Sequence, residues 1–171
     1  LTVVSGLAYP GLMLYHKTNG FSVKEWKLDG NAYIQKYNPD EYAAILWLKD
    51  APMGVVTEAV GGSYTDYARI STRTGLPTVL GWPGHESQWR GGGEEMSSRY
   101  EVIHRLYETT DWDETLRTLR DYNVRYVYVG NLERSTYQVD TSKFEGNITL
   151  VFSNNSTMIF EVPAPFGAAQ P

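Results

Sequence analysis

The sequence predicts an α/β domain: a three-layer or two-layer sandwich with a small, largely parallel sheet and a C-terminal antiparallel β-hairpin. Two observations predict this class. Short apolar runs alternate along the chain with amphipathic segments of helical period, which is typical of strands joined by helices. The last two apolar runs, ITLVF and TMIFEV, are separated only by SNNS, which is typical of a hairpin. We place a single α/β domain at 31–162, between a juxtamembrane stub and linker at 1–30 and a C-terminal tail at 163–171.

The first helix of the domain is predicted over 39–50. Asn38 can cap this helix, Pro39 suits its first position, and Glu41 completes a capping box. The stripe that it buries consists of Ala44, Ile45 and Leu48, with Trp47 beside them. A short, nearly all-apolar strand over Val55–Val60 follows, of the type that is buried on both faces of a sheet.

Further elements follow in the same alternation. A helix is predicted to begin at Ser63 and to stop at Gly75, and PTVLGW, from Pro77, to form a second strand. A helix is predicted over 98–108, on a stripe that consists of Tyr100, Ile103, Leu106 and Tyr107. Asp111 caps the next helix, and Val124–Gly130 is the clearest strand of the chain.

Composition excludes several classes of function. The chain has 171 residues, a net charge of −5 and a pI near 5.2, which argues against a nucleic-acid partner because phosphate binding needs clustered Lys and Arg. The absence of Cys excludes disulfides, zinc thiolate sites and a Cys nucleophile. The three His have no ligand spacing, and the DWD motif at 111–113 fits the acidic start of a helix. We therefore expect no metal and no cofactor.

The N-terminal segment Leu1–Tyr15 is strongly apolar. It is too short to span a bilayer and contains Gly6, Pro10 and Gly11. Two interpretations stand equally: an apolar arm packed on the domain, or the stub of a transmembrane helix. Because the first residue is Leu, we expect the chain to be a fragment or a processed product.

Three connections that follow the predicted parallel strands are rich in aromatic and charged residues. Ligands bind beyond the carboxyl ends of strands in α/β sheets, and those ends share one rim. Exposed aromatics beside paired charges and flexible backbone are typical of a surface that binds carbohydrates or polar head groups. The candidate ligand-binding residues are Ser63, Tyr64, Arg69, Trp82, His85, Glu86, Trp89, Arg90, Glu133 and Tyr137.

The segment HESQWR, His85 to Arg90, has two interpretations of equal weight. In the structural one, Glu86 pairs with Arg90, His85 stacks on Trp89, and the tryptophans pack inward. In the functional one, His85, Glu86 and Arg90 face a ligand. The segment NLERSTY has a similar structural interpretation, with Glu133 and Arg134 as a surface pair.

Ser63 suggests a further chemistry. GGS between a strand and a helix could present backbone N–H groups to a phosphate, but it lacks the spacing of the known fingerprints, which favours a tight turn. It also resembles a nucleophile elbow, except that Thr65 stands where the second glycine belongs. A triad of Ser63, His85 and a carboxylate is conceivable and poorly supported.

Several segments carry a family resemblance. LDGNAYI, AAILWLK, TEAVGGSYTDYARISTRTGLPTVLGWPGHESQWRG and RYVYVGNLERSTY resemble the C-terminal soluble region of the YYY family of prokaryotic multi-pass membrane proteins. The resemblance runs from about residue 7 to residue 162. It implies a domain at the extracytoplasmic face of the cell membrane, whose partners are its own membrane domain and a lipid-linked sugar or glycan acceptor. Leu1–Tyr15 would then be the end of the last membrane helix.

The family is similar to membrane glycosyltransferases of the GT-C type, an assignment that rests on membrane topology. In that class the catalytic carboxylate sits in an early extracytoplasmic loop, so the resemblance implies that this fragment is non-catalytic. A looser similarity in layout links the chain to the C-terminal domain of oligosaccharyltransferase catalytic subunits, although AVGGSYTDY stands here in place of their Trp-Trp-Asp-Tyr-Gly signature.

Three hypotheses follow. The first is a binding domain whose rim contacts a sugar, its lipid-phosphate carrier or the acceptor: Arg69 and Arg90 meet anionic groups, the tryptophans stack on sugar faces, and His85 and Glu86 bond hydroxyls. The second is a free-standing serine-type hydrolase that uses Ser63 and His85. The third is a purely structural module that docks on its own membrane part.

Overall fold

Residues 2–23 and 29–163 are described by the computed structural model. The chain divides into two units, Leu1–Tyr33 and Ile34–Pro171. Apart from Pro163, the predicted tail at 163–171 lies outside the described residues.

The first unit contains helix α1, Thr2–Lys17, which includes Pro10 and ends with His16 and Lys17. The segment predicted as an apolar arm or a membrane stub is therefore helical over most of its length. Large apolar side chains of α1 are exposed, namely Tyr9, Leu12, Leu14 and Tyr15. Within 2–23 and 29–163, no helix combines the length and the apolar character that a membrane crossing requires.

The remaining helices and strands of the described residues follow in chain order. The helices are α2 (Asn31–Tyr37), α3 (Pro39–Asp50), α4 (Arg69–Thr74), α5 (Pro83–Arg90), α6 (Glu94–Glu108), α7 (Trp112–Asp121), α8 (Asn131–Thr136) and α9 (Ser142–Glu145). The strands are β1 (Val55–Thr57), β2 (Val124–Val129), β3 (Thr149–Ser153) and β4 (Met158–Glu161).

The four strands form one sheet in the order β1-β2-β4-β3. β1 pairs with β2 in parallel, whereas β2–β4 and β3–β4 are antiparallel. The α/β class and the C-terminal hairpin are thus confirmed. The segment predicted as a second strand contributes only a parallel bridge between Thr78 and Val56, so parallel pairing is confined to one edge of the sheet.

Helices cover both faces of the sheet, which makes the domain a three-layer sandwich. Successive side chains of a strand point to opposite faces. Val127 and Val129 of β2 accordingly belong to the core that includes residues of α6, α7 and α9. Tyr126 and Tyr128 belong to the second core, which includes residues of α3 and α4.

Local signals set most helix ends. Asn38 Oδ1 accepts the backbone N–H of Glu41 at 3.4 Å, and Asp111 Oδ1 accepts those of Asp113 and Glu114 at 2.8 and 3.2 Å, so both predicted N-caps are confirmed. The DWD motif is therefore the start of a helix. α6 begins four residues earlier than predicted, at Glu94.

The predicted helix start at Ser63 is wrong. α4 begins at Arg69, and Tyr64 and Ala68 before it adopt positive φ values of 61° and 60°. A non-glycine residue in the left-handed region interrupts a right-handed helix, because its Cβ crowds the carbonyl oxygen that follows. The loop 58–68 therefore leaves the strand without helical structure.

Lys143 joins α9 to the end of α6. Its buried ammonium donates to the carbonyl oxygens of Tyr107 and Thr109, at 3.2 and 2.5 Å. Burial lowers the pKa of Lys143 to about 8. The unfolded chain keeps the ordinary lysine pKa of about 10.4, so between these two values it binds more protons than the folded chain. This group should therefore make the folded state more stable as the pH rises through that interval.

We expect the stability of the native chain, relative to a Lys143→Met variant, to rise between about pH 8 and about pH 9.5, as measured by urea unfolding. The measurement stops below the ordinary tyrosine pKa of about 10, because above it tyrosines whose pKa is raised by burial, such as Tyr137, lower the stability of both chains. The exposed Lys49 is the matched control. We also compare the native chain with Lys49→Met. If the difference in unfolding free energy between the native chain and Lys143→Met is as constant with pH as that difference for Lys49→Met, the pKa of Lys143 is not lowered.

Candidate functional site

The three connections that follow β1, Thr78 and β2 meet at one end of the sheet, as predicted. We call their residues, 58–68, 79–93 and 130–141, the rim. The backbone N–H of Val60 donates to the Tyr137 hydroxyl at 3.0 Å. The Tyr67 hydroxyl lies 3.4 Å from Thr136 Oγ1, and Trp82 Nε1 donates to the Tyr67 carbonyl oxygen at 2.6 Å. The first connection is thus bonded to each of the other two.

Arg69 lies inside the domain, below the rim. Its Nε donates to Glu41 Oε2 at 2.7 Å, while Nη1 and Nη2 donate to the two carboxylate oxygens of Glu133 at 3.3 and 3.2 Å. Both carboxylates are buried, and they raise the pKa of Arg69 against the opposing effect of burial. Arg69 therefore stays charged and is fully engaged by the protein, which corrects its predicted place as an exposed contact for an anionic group.

Glu133 bonds to Arg69 and to two of the three connections of the rim. Besides Arg69, its carboxylate accepts the backbone N–H groups of Ala59, at 2.8 Å, and of Gly130, at 2.9 Å. Its side chain is fully buried. The predicted surface pair of Glu133 with Arg134 is wrong, because Glu133 faces the interior and Arg134 donates instead to the carbonyl oxygen of Ser156. Glu133 holds the connections together and does not face solvent.

A third buried carboxylate, Glu58, lies close to Glu133, whose charge acts on it. It accepts the backbone N–H groups of Ile70 and Ser71 at 2.8 and 3.0 Å, so it caps the start of α4. Burial, the largest cause, raises the pKa of Glu58, and the charge of Glu133 adds to the rise. The two glutamates are closed to solvent and occupied by backbone donors, so neither is placed to act on a ligand.

Tyr137 is also an interior residue. It stacks on Tyr107 with ring centroids 4.9 Å apart, and the hydroxyl of Tyr107 donates to the carbonyl oxygen of Tyr128 at 2.8 Å. Burial, the largest cause, raises the pKa of both Tyr107 and Tyr137, which keeps their hydroxyls protonated. Tyr137 supports the rim from below, and its predicted place among exposed ligand contacts is corrected.

Four aromatic side chains of the rim lie next to one another, two of them exposed and two half-buried. We call Tyr64, Trp82, His85 and Trp89 the aromatic patch. Tyr64 lies 5.1 Å from Trp82 and 5.8 Å from His85, and His85 lies 6.2 Å from Trp89, measured between ring centroids. Trp89 is 80% exposed and Tyr64 is 72% exposed. The predicted inward packing of both tryptophans is therefore wrong for Trp89.

Neighbouring residues hold two members of the patch, Tyr64 and Trp82, in place. Tyr64 occupies the left-handed region, which a bulky residue adopts only where its surroundings enforce it. Its hydroxyl lies 3.1 Å from His85 Nδ1, a hydrogen-bonding distance. Trp82 is anchored through its indole nitrogen to Tyr67. A strained, exposed aromatic held by two neighbours is a feature that marks interaction sites.

Ser63 lies at the edge of the patch. A Cβ built on Gly84 would come within 3.0 Å of Ser63 Oγ, which puts the hydroxyl against the first turn of α5. In the described part of the chain no hydrogen bond joins Ser63 to His85, whose Nδ1 faces Tyr64. The contact between nucleophile and base that the hydrolase hypothesis needs is not made.

Glu86 and Arg90 flank the patch on α5. Glu86 Oε1 accepts the backbone N–H of Gly81 at 2.6 Å, and Glu86 Oε2 lies 3.4 Å from Arg90 Nε. Arg90 also approaches Glu95 at 3.8 Å. The predicted pairing of Glu86 with Arg90 and the contact of His85 with Trp89 are both present, so the structural interpretation of this segment is confirmed in these contacts. Because Trp89 is exposed, the functional interpretation, in which this segment faces a ligand, stays a prediction.

The roles of two residues of the site, Glu41 and Glu58, were not predicted from the sequence. Glu41 was expected to complete a capping box, yet its side chain reaches Arg69. Glu58 was counted within an almost wholly apolar strand, and a carboxylate in such a run is itself a signal, because buried carboxylates need partners. In the part of the chain that is described, no group of three or more His, Asp or Glu is arranged to hold a metal ion.

A solved domain is similar to this chain. It is the C-terminal globular domain of an oligosaccharyltransferase from Archaeoglobus fulgidus, with a TM-score of 0.47 and 12% identity, over 72% of this chain and 96% of that one. No protein-family model matches the chain, and no curated protein matches it. A TM-score below 0.5 does not establish a shared fold, so the site is interpreted from its own geometry.

Proposed function

We propose that this chain is a non-catalytic binding domain whose aromatic patch recognises a sugar, the lipid-phosphate carrier of a sugar, or a glycan acceptor. The observation that carries the proposal is the exposure of Trp89 and Tyr64 on a fixed loop and helix. Rigid Trp and Tyr side chains supply large contact areas at low entropic cost. The carbon-bound hydrogens of a pyranose face can pack against such rings while its hydroxyls stay hydrated.

The spacing of the rings favours a flat ligand. An aromatic cage for a cation needs an opening between its rings. Trp82 lies 5.1 Å from Tyr64 and 6.4 Å from His85, so these rings contact each other and leave no opening. The patch therefore offers outward-facing ring surfaces. Such surfaces suit a sugar ring.

The family resemblance supports the cellular setting that we propose. The domain would lie at the extracytoplasmic face of the cell membrane, as part of a multi-pass glycosyltransferase of the YYY family and the GT-C type, with its own membrane domain as partner. The chemistry would occur in that membrane part. The burial of Glu58 and Glu133, and the engagement of His85 Nδ1 by Tyr64 with no hydrogen bond from Ser63 in the described residues, support a chain that binds without catalysing.

Replacing Trp89 with alanine should weaken saccharide binding about tenfold or more, the effect of truncating an interface hot spot. Because Trp89 is 80% exposed, the fold should be unaffected. Binding would be measured by calorimetry and Trp fluorescence with neutral oligosaccharides and polyprenyl phosphates, and folding by circular dichroism.

Trp112→Phe is the control, since Trp112 lines a groove beside Val124, at the opposite end of β2 from the rim. It should bind as the native chain does. Saturable binding that Trp89→Ala leaves unchanged would place the ligand elsewhere. If no sugar or carrier binds at all, the proposed function fails.

A further inference from the structure

The positive charges around the aromatic patch are neutralised by the protein itself. Arg90, the cation of α5, lies between Glu86 at 3.4 Å and Glu95 at 3.8 Å. Arg99 of α6 donates to Glu95 at 2.5 Å and to the carbonyl oxygen of Val79 at 2.9 Å. Both guanidinium groups therefore already have carboxylate partners within the protein.

Two further donors near the patch are also occupied. Arg69, the cation nearest the centre of the rim, is buried between Glu41 and Glu133. The backbone N–H of Gly81, just before α5, is taken by the carboxylate of Glu86. An anion that binds to one of these donors must displace a carboxylate from it and then faces that carboxylate as a like charge.

From these contacts we infer that the ligand of the aromatic patch is an uncharged saccharide, and that the patch excludes phosphate, sulfate and uronate groups. This inference rests on the proposed function and narrows it. Anion sites in proteins combine cationic side chains with unoccupied backbone donors. The guanidinium groups beside the patch, on Arg90 and Arg99, already have carboxylate partners, while the exposed rings of Trp89 and Tyr64 need only the apolar face of a sugar. The charged part of a lipid-linked sugar must then be held outside the patch.

The inference is tested with matched neutral and anionic ligands. The probes are neutral hexasaccharides of glucose, mannose and N-acetylglucosamine, oligogalacturonate of the same length, inorganic phosphate and a polyprenyl phosphate. The titrations are carried out at about pH 8, the same for every probe. We expect a neutral hexasaccharide to bind at least about tenfold more tightly than each anionic probe, a difference of about 1.4 kcal/mol. Its affinity should not change between about 0.05 and 0.5 M salt, because no ion pair forms.

A gain of function provides the sharper test. The double variant Glu86→Gln, Glu95→Gln releases Arg90 and Arg99 from their carboxylates, while the amide oxygen introduced at position 86 can still accept the Gly81 N–H. It should bind oligogalacturonate roughly tenfold more tightly than the native chain, the value of one charge-assisted hydrogen bond. Glu101→Gln, which removes an exposed carboxylate from α6, is the matched control and should not change binding.

The outcomes separate the inference from the function on which it rests. Preferred binding of neutral saccharides, lost in Trp89→Ala, supports both. Tighter binding of an anionic probe, weakened by salt and by Trp89→Ala, overturns the inference and leaves the proposed function standing. A double variant that gains no affinity for oligogalacturonate overturns the inference as well. If neither saccharides nor the carrier bind, the proposed function fails and the inference fails with it.

Discussion

Replacing Glu133 with alanine should destabilise the α/β domain by about 3–5 kcal/mol, the cost of removing one partner from a buried ion pair. The variant leaves Arg69 with only Glu41 and leaves the N–H groups of Ala59 and Gly130 without their acceptor. The two backbone donors that lose their acceptor account for part of this cost, at roughly 1–3 kcal/mol each. Urea unfolding followed by circular dichroism measures the change.

Two variants show which property of Glu133 is responsible. Glu133→Gln keeps one oxygen acceptor and loses the charge, so it should cost less than Glu133→Ala. Ser135→Ala, on an exposed position of the same helix α8, should stay within about 0.5 kcal/mol of the native chain. Equal midpoints for Glu133→Ala and Ser135→Ala would mean that the network does not stabilise the domain.

A double-mutant cycle with Arg69→Met tests the pairing directly. The two residues share two hydrogen bonds, at 3.2 and 3.3 Å, so their coupling energy should lie at about 0.5–3 kcal/mol. Additive effects of Arg69→Met and Glu133→Ala would show that the two side chains act independently. Strong coupling would identify Glu133 as a residue that positions the rim, consistent with its lack of exposure.

The elements that local chemistry encodes could be predicted from the sequence. Asn38 and Asp111 accept backbone N–H groups within three residues of themselves, so both N-caps can be predicted from nearby residues of the sequence. The apolar stripe of α3 is equally local, and its members Ala44, Ile45 and Leu48 are buried as predicted. The meeting of the three connections followed from a general property of parallel strands.

The interior of the site depends on contacts between distant residues, and these could not be predicted. Arg69 reaches Glu41 across 28 positions and Glu133 across 64. Nothing near Arg69 in the chain distinguishes it from the exposed Arg90, and both were predicted as ligand contacts. The left-handed φ of Tyr64 is similarly invisible, because the surrounding structure imposes it against the preference of the residue. Whether the patch binds a ligand stays a prediction.

Replacing Gly61 with alanine should displace Trp82 of the aromatic patch, although Gly61 is not a member of the patch. A Cβ at this position would lie 2.6 Å from Cδ2 of Tyr67, closer than packed carbon atoms allow, so the ring must move. Overpacking of this kind costs roughly 1–3 kcal/mol. The carbonyl oxygen of Tyr67 also accepts the indole N–H of Trp82 at 2.6 Å, so displacement of Tyr67 shifts a member of the patch. Both the urea midpoint and the affinity for a neutral hexasaccharide should fall.

Gly62→Ala is the matched control for this effect. Its Cβ would meet only Thr65 Cγ2, at 3.6 Å, and neither glycine has a positive φ, so the two variants differ in steric crowding alone. The double variant Gly61→Ala, Tyr67→Leu removes the crowded ring and should be more stable than the sum of its single changes predicts. The affinity of this double variant for the saccharide should stay low. Residue 67, whose carbonyl oxygen accepts the indole N–H of Trp82, then packs through a leucine side chain. If Gly61→Ala and Gly62→Ala change the urea midpoint and the saccharide affinity by the same amounts, the position of the Tyr67 ring does not affect the patch.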